Sequence, residues 1–326
     1  MTVIDIHTHM VSNAWLDLLI ERSDTFLVRD VPGGARVIQR GGAPFMTLTP
    51  GMFDYEARIA AMDEARVDVA VVSLTCPNAY WGDAATSLEA ARLVNDDMAD
   101  QQAAHPDRIR WMCSLPWQYA DLAVAELGRA LAAGAVGVIV LANIDGASLT
   151  DERFSPIWEA IDRQGLPVFV HPSTPPGVDG LDMSKYHLVY SVGFTFDTTL
   201  ALSRMILDGF FDRYRDLRII GGHAGGYLPF LIGRLDSSFR YFETARVSIQ
   251  DLPSTYLDRI HVDSIVYTPE ALKYTVEVFG PDNILYGSDY PHKNGKMTEI
   301  LDIVDRLGET ERARIVSKNA ERLFRL

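Results

Sequence analysis

His7 and His9 close the first apolar run of the chain, Thr2-Val3-Ile4-Asp5-Ile6-His7-Thr8-His9. Side chains two apart on an extended strand share a face, so both imidazoles point the same way and can hold one cation. His171 ends another such run, 167–171. His223 stands in Gly221-Gly222-His223-Ala224-Gly225-Gly226, and Asp289 in Tyr286-Gly287-Ser288-Asp289-Tyr290-Pro291. A lone histidine at a strand end is usually a packing residue. Four of the eight histidines at such ends point to one shared site. Imidazoles converging with a carboxylate suit a borderline divalent ion such as Zn²⁺.

Convergence requires a fold that brings distant strand ends together. Apolar runs at 3–7, 69–74, 109–114, 136–141, 167–171, 217–222, 260–263 and 283–287 read as strands. Several are continuous, such as Val-Gly-Val-Ile-Val-Leu, which suits strands buried on both faces. Amphipathic stretches at 54–65 (with Asp54 as N-cap), 88–104, 122–133, 154–164, 198–207, 228–244 and 270–278 alternate with them. This alternation spells an α/β fold, a (β/α)₈ TIM barrel, with a doubly wound open sheet as the competitor. In a barrel, the carboxyl ends of all strands open onto one face. The chain reads as one domain, 1–326. Residues 10–53 contain no single clean helix; 26–29 and 36–39 read as a hairpin around Val31-Pro32-Gly33-Gly34. This insertion follows the first strand and is expected over the active face as a lid or binding loop. A loop containing Pro and Gly, 173–193, follows the fifth strand. Asp5 is expected to point as His7 does, one layer deeper, as support. Asp263, ending the seventh strand, reads as a loop-capping acid.

Hydrophobic residues make up 48% of the chain and charged ones 23%, which excludes a disordered or fibrous class. A formal net charge of −14 argues against nucleic acid as a partner. A small anionic substrate stays open, because a local cation overrides the global field. No apolar stretch is long enough for a membrane helix, and no leader pattern precedes the first strand. The two cysteines, Cys76 and Cys113, are too few for a disulfide framework, follow no metal spacing and read as buried thiols. A cytoplasmic location is expected. His105 and His187 receive no role.

Asp-Ile-His-Thr-His, Val-His-Pro, Gly-His-Ala-Gly-Gly and Gly-Ser-Asp-Tyr-Pro, in this order, resemble the amidohydrolase superfamily over essentially the whole chain. Tyr-Leu-Pro-Phe-Leu-Ile-Gly-Arg-Leu-Asp and Val-Asp-Ser-Ile-Val-Tyr are similar to its branch typified by aminocarboxymuconate-semialdehyde decarboxylase, with the γ-resorcylate and carboxyvanillate decarboxylases as relatives. The resemblance implies His7, His9, His171 and Asp289 as metal ligands and His223 as the catalytic acid/base, with Asp289 counted among the catalytic residues. Spacing alone leaves His223 open as a fifth ligand. Binuclear relatives carry a carbamylated lysine on the fourth strand. That strand here reads Gly137-Val138-Ile139-Val140-Leu141-Ala142-Asn143, so one metal per chain is expected. His7 stands where resorcylate-type relatives have Glu.

Arg234 matches an arginine that, in the muconate-semialdehyde enzyme, reaches a neighbouring subunit's site to hold the substrate carboxylate, which implies a homodimer. A guanidinium suits bidentate carboxylate binding. The plainer reading is a helix-surface arginine paired with Asp236 or another acid. A second substrate arginine of the family has no clean match in Ala43-Pro44-Phe45-Met46-Thr47-Leu48; Arg40 is a loose candidate. His292 stands where the muconate-semialdehyde enzyme has an apolar aromatic; it reads either as a donor to a substrate oxygen at the barrel mouth or as a solvent-exposed loop histidine. Asn143, Tyr80, Trp81, Phe194 and Phe196 can line the pocket or simply pack. The reading that results is a metal-dependent carboxy-lyase that decarboxylates a small aromatic or unsaturated, muconate-like acid without oxidation. The alternative is a metal-dependent hydrolase of a lactone, amide or ester, since the same site activates water for attack on a carbonyl. A catalytically dead binding barrel is a third reading, against which the intact ligand set speaks.

Overall fold

The computed structural model describes residues 1–31, 35–40, 43–183 and 185–326. Eight parallel strands form one sheet: β1 Ile4–His9, β2 Val69–Ser73, β3 Ile109–Cys113, β4 Gly137–Leu141, β5 Pro167–His171, β6 Arg218–Gly221, β7 Ile260–Asp263 and β8 Ile284–Leu285. They pair in chain order from β1 to β8. The Ile6 N–H then donates to Tyr286 O at 3.0 Å and the Asp289 N–H to His7 O at 2.8 Å, which joins the last strand back to the first. Sequential pairing with closure is a TIM barrel; a doubly wound sheet reverses its strand order.

The alternation of side chains explains the closure. Ile4, Ile6, Val71, Met112, Ile139, Phe169, Ile220 and Leu285 fill the interior, together with Ala320, Leu323 and Phe324 from the helix Asn319–Phe324. Their strand neighbours, such as Val72, Val140, Val170 and Val262, face the surrounding helices. The register of β1 against β2 shifts between Asp5 and Thr8. Ile4 and Ile6 therefore occupy the interior below His7 and His9, and Asp5 does not lie one layer beneath His7 as simple alternation predicts. A bulge adds one residue and changes the face that follows it. Asp5 still acts as support: its carboxylate accepts from the N–H of His7 at 3.2 Å and from the Ser288 hydroxyl at 2.5 Å.

The insertion after β1 departs from the expectation in one respect. It contains a helix, Asn13–Arg22, capped by Ser12, whose hydroxyl accepts from Trp15 N–H at 3.1 Å. The helix buries Trp15, Leu16, Leu18 and Leu19. Phe26–Asp30 and Arg36–Arg40 pair antiparallel, as the hairpin pattern predicts, and Ala43–Leu48 adds a third strand. The Pro32-Gly33-Gly34 turn lies outside the described residues. Asp54 caps the helix Tyr55–Ala65, accepting from Ala57 N–H at 2.9 Å. No helix among the described residues is long and apolar enough to cross a membrane.

Candidate metal centre

At the carboxyl ends of the strands, His7, His9, His171 and Asp289 bring one ligand atom each to within 4.8 Å of one another, and all four residues are buried. His7 Nε2 and His9 Nε2 lie 3.4 and 3.3 Å from Asp289 Oδ1. His7 Nδ1 donates to Asp263 Oδ2 at 2.6 Å and His171 Nδ1 to Pro172 O at 2.8 Å. Fixing the proton on Nδ1 leaves Nε2 as the free lone pair, which is how a protein orients a metal-ligating imidazole. His7 Nε2, His9 Nε2 and Asp289 Oδ1 are buried and form no hydrogen bond. Buried polar atoms are otherwise nearly always satisfied. Three imidazoles and one carboxylate so arranged fit a divalent ion.

The electrostatics follow from this crowding. Burial opposes charge on Asp289, but His292, His223, His7 and His9 outweigh it and hold the carboxyl well below its ordinary range. Burial and the neighbouring imidazoles keep His171 neutral, its pKa pushed far down. Burial also lowers His9, to about 3. His9 and His171, neutral beside an ionised carboxylate, are in the protonation states that a cation needs. At His7, burial is outweighed by Asp263 and Asp289, which raise the pKa to about 10, so that a cation must displace a proton there.

His223 sits across the cluster, its Nε2 3.5 Å from Asp289 Oδ2 and its ring 5.0 Å from that of His7. Both its ring nitrogens are buried and without partners. His223 and Ala224 adopt left-handed backbone with φ of 52° and 54°. Such a conformation costs energy in a non-glycine residue and persists only where the surroundings enforce it. Asp263 supplies the enforcement, accepting from the N–H groups of His223 and Ala224 at 2.7 and 2.8 Å. The loop-capping role expected of Asp263 is therefore present, and its bond to His7 adds a second role that the sequence reading missed. Nothing in the sequence spacing signals a contact between residues 256 positions apart.

The other predicted residues divide. His292 lies beside the cluster, its ring 5.3 Å from His9 and its Nε2 3.5 Å from Thr75 Oγ1. Asn143 donates to Thr174 O and to both oxygens of Asp197, at 3.0 to 3.1 Å, so its amide ties the loop after β5 to the helix Thr195–Leu207. Trp81 is buried, donates to Asn78 O at 2.8 Å and packs edge-on against Trp15. Tyr80 is half-buried against the core, with its hydroxyl unpartnered. Phe194 is half-buried 6.1 Å from the Tyr190 ring, and Phe196 is exposed. Arg234 is exposed on the helix Leu228–Tyr241. Its expected partner Asp236 instead accepts from Ser254 N–H at 2.9 Å. Arg40 lies over the Phe26 ring in the insertion.

Two groups had no signal in the sequence. Arg58, fully buried, donates to Thr8 Oγ1 and to His9 O, both at 2.5 Å, and pins the end of β1. Tyr190, from the helical segment Val189–Phe194, meets Tyr267 and Asn294 from two loops, with Tyr190 and Tyr267 hydroxyls 2.9 Å apart and the Asn294 amide donating to both.

Comparison with known proteins shows the family. The family model described as Amidohydrolase matches residues 4–326. A 2-amino-3-carboxymuconate-6-semialdehyde decarboxylase from Dictyostelium discoideum is 30% identical over 97% of this chain and 90% of its own length. The apo form of the Metarhizium anisopliae IDCase superposes with a TM-score of 0.90 at 27% identity, covering 99% of this chain and 97% of that one. A dihydroxybenzoic acid decarboxylase from Polaromonas sp. JS666, with bound manganese and the inhibitor 2-nitroresorcinol, gives 0.82 at 25% identity, covering 100% and 97%.

Proposed function

Because the chain belongs to the amidohydrolase family, in its branch of aminocarboxymuconate-semialdehyde-type decarboxylases, we propose that it removes carbon dioxide without oxidation from a small aromatic or muconate-like carboxylic acid. The observation that carries this reading is the buried cluster of His7, His9, His171 and Asp289 with His223 facing it. A divalent ion held there supplies Lewis acidity toward the substrate oxygens. The C–COO⁻ bond breaks with its electron pair left on carbon. His223 Nε2, buried and unpartnered, delivers the proton that takes the place of carbon dioxide. Asp289, held ionised, stands with its Oδ2 3.5 Å from that Nε2. One ion per chain is the expected load. Zn²⁺ is favoured by the His₃Asp donor set, and Mn²⁺ is supported by the Polaromonas relative.

His292, its ring 5.3 Å from that of His9, is placed to meet a planar acid, and Phe194 is a second candidate. The insertion, 10–53, acts as the lid; Thr49 Oγ1 already donates to Pro291 O at 3.1 Å, in the loop that carries Asp289. A homodimer is the working assembly. Arg234 is exposed on the same helix as Phe230 and Tyr241, whose large side chains are 71% and 79% exposed. Sedimentation at micromolar concentration tests it, and a monomer removes Arg234 from the neighbour's site. The buried free thiols of Cys76 and Cys113 suit a reducing compartment.

The reaction is tested by carbon dioxide release from hydroxybenzoates and muconates with Zn²⁺- and Mn²⁺-loaded protein, using chelator-treated protein as control. Metal-dependent release is the expected result. Silence across the panel, with proton release from lactones or esters instead, overturns the decarboxylase in favour of the hydrolase.

A further inference from the structure

At the opposite end of the barrel, where β6 and β7 begin, a cavity of about 520 Å³ is lined by Arg163, Arg218, Arg322, Arg325 and His261. The two acids of its wall are Asp162 and Asp216. Asp162 Oδ1 is committed to the N–H groups of Asp216 and Leu217, both at 2.9 Å. Arg218 donates to Asp216 O and Leu217 O, and Arg322 to Asp282 O and Asn319 Oδ1. None of the four guanidiniums forms an ion pair among the described residues, whereas Arg22, Arg92, Arg108, Arg129, Arg204, Arg312 and Arg314 each do.

Four guanidiniums against two carboxylates leave an excess of like charge in the wall, and like charges repel one another. A polyvalent oxyanion relieves that repulsion and accepts the paired N–H groups of a guanidinium fork. His261 adds a neutral polar group. It is 6% exposed, its Nδ1 has no partner, and burial together with Arg322 and Arg218 pushes its pKa down to about 4. We propose that this cavity binds a small polyvalent oxyanion, phosphoryl or polycarboxylate, at a site separate from the metal centre.

The test is calorimetric titration of metal-loaded protein, at fixed ionic strength, with inorganic phosphate and in parallel with tricarballylate. The expected result is one saturable event per chain with at least one of the two, and the anion that binds identifies the source. Arg218→Gln with Arg322→Gln should weaken binding by about tenfold or more, the loss of one or two charge-assisted hydrogen bonds. Both residues also hold backbone carbonyls. A second variant, Arg163→Gln with Arg325→Gln, touches guanidiniums that make no hydrogen bond among the described residues, and it should weaken binding in the same direction without lowering the unfolding temperature. No saturable binding by either anion overturns the proposal. So does unchanged affinity in the Arg163→Gln, Arg325→Gln protein, which would place the anion elsewhere.

Discussion

Asp289 holds the site together at the scale of single residues, because its carboxylate faces three imidazoles at once, those of His7, His9 and His223. Removing a ligand and removing the proton carrier should therefore have different signatures. His171→Ala or Asp289→Ala should lose metal and activity together. His223→Ala should keep the metal, measured by elemental analysis, and lose turnover by about 10²–10⁴-fold, the usual worth of a general acid. If His223→Ala loses its metal first, His223 is a ligand. Asp263→Asn tests the support beneath them. It disturbs the acceptor of His7 Nδ1 and of the strained His223 loop, and such supporting partners are worth about 10–100-fold in metal affinity. Competition with a chromophoric chelator measures it, and unchanged affinity would show that His7 needs no such partner. The converging candidates were legible in the sequence because a strand end is a local feature: His7 and His9 two apart, and His171, His223 and Asp289 each at the close of an apolar run. Which of them ligate came from the family resemblance, since spacing left His223 open as a fifth ligand. The partners of those ligands were not legible. Asp263 reaches His7 across the barrel, and Arg58 reaches His9 from a helix, contacts that only the closed fold creates.

Elements show the same division between local and non-local information. Strand positions could be read to within a few residues, and two of them, β5 and β7, match the expected 167–171 and 260–263 throughout. Strict alternation failed once, at the register shift in β1, because pairing geometry and not the pattern of one strand decides where a bulge falls. The helix Asn13–Arg22 was missed although its signals were present. Ser12 is a good N-cap, and Trp15, Leu16, Leu18 and Leu19 lie at helical spacing. The turn between β6 and the following helix is more constrained than its glycines suggest. Gly226 has φ of +66°, and a Cβ there would stand 2.1 Å from Thr195 O. Gly226→Ala should cost at least about 2 kcal/mol, combining backbone strain with overpacking. The cost should appear as a lower denaturation midpoint together with weaker metal retention, because His223 precedes this turn by three residues. A variant as stable as the parent would mean that the helix Thr195–Leu207 can move aside.

Across the whole molecule, fold, metal and proton are linked through His7. In the metal-free chain, burial opposes a proton on this imidazole, but Asp263 and Asp289 outweigh it and lift its pKa from 6.5 to about 10. Between those values the folded chain binds more protons than the unfolded one, so stability falls with rising pH. The contribution of His7 is complete below the unfolded pKa and is lost as pH climbs through about 10. A divalent ion needs the same Nε2 lone pair, so loading should expel a proton wherever His7 carries one. Two measurements follow. Metal added to chelator-treated protein in weak buffer at mildly alkaline pH should release about one proton per chain from His7, read by an indicator dye. The unfolding temperature of metal-free protein should decline across the same range more steeply than that of loaded protein, which gains about 4 kcal/mol when free metal exceeds its Kd a thousandfold. Parallel slopes with no proton release would show that His7 is already neutral before the metal arrives. The carboxylates of Asp263 and Asp289 would then be compensated by some other group in the barrel, and the supporting role given to Asp263 would have to be reassigned.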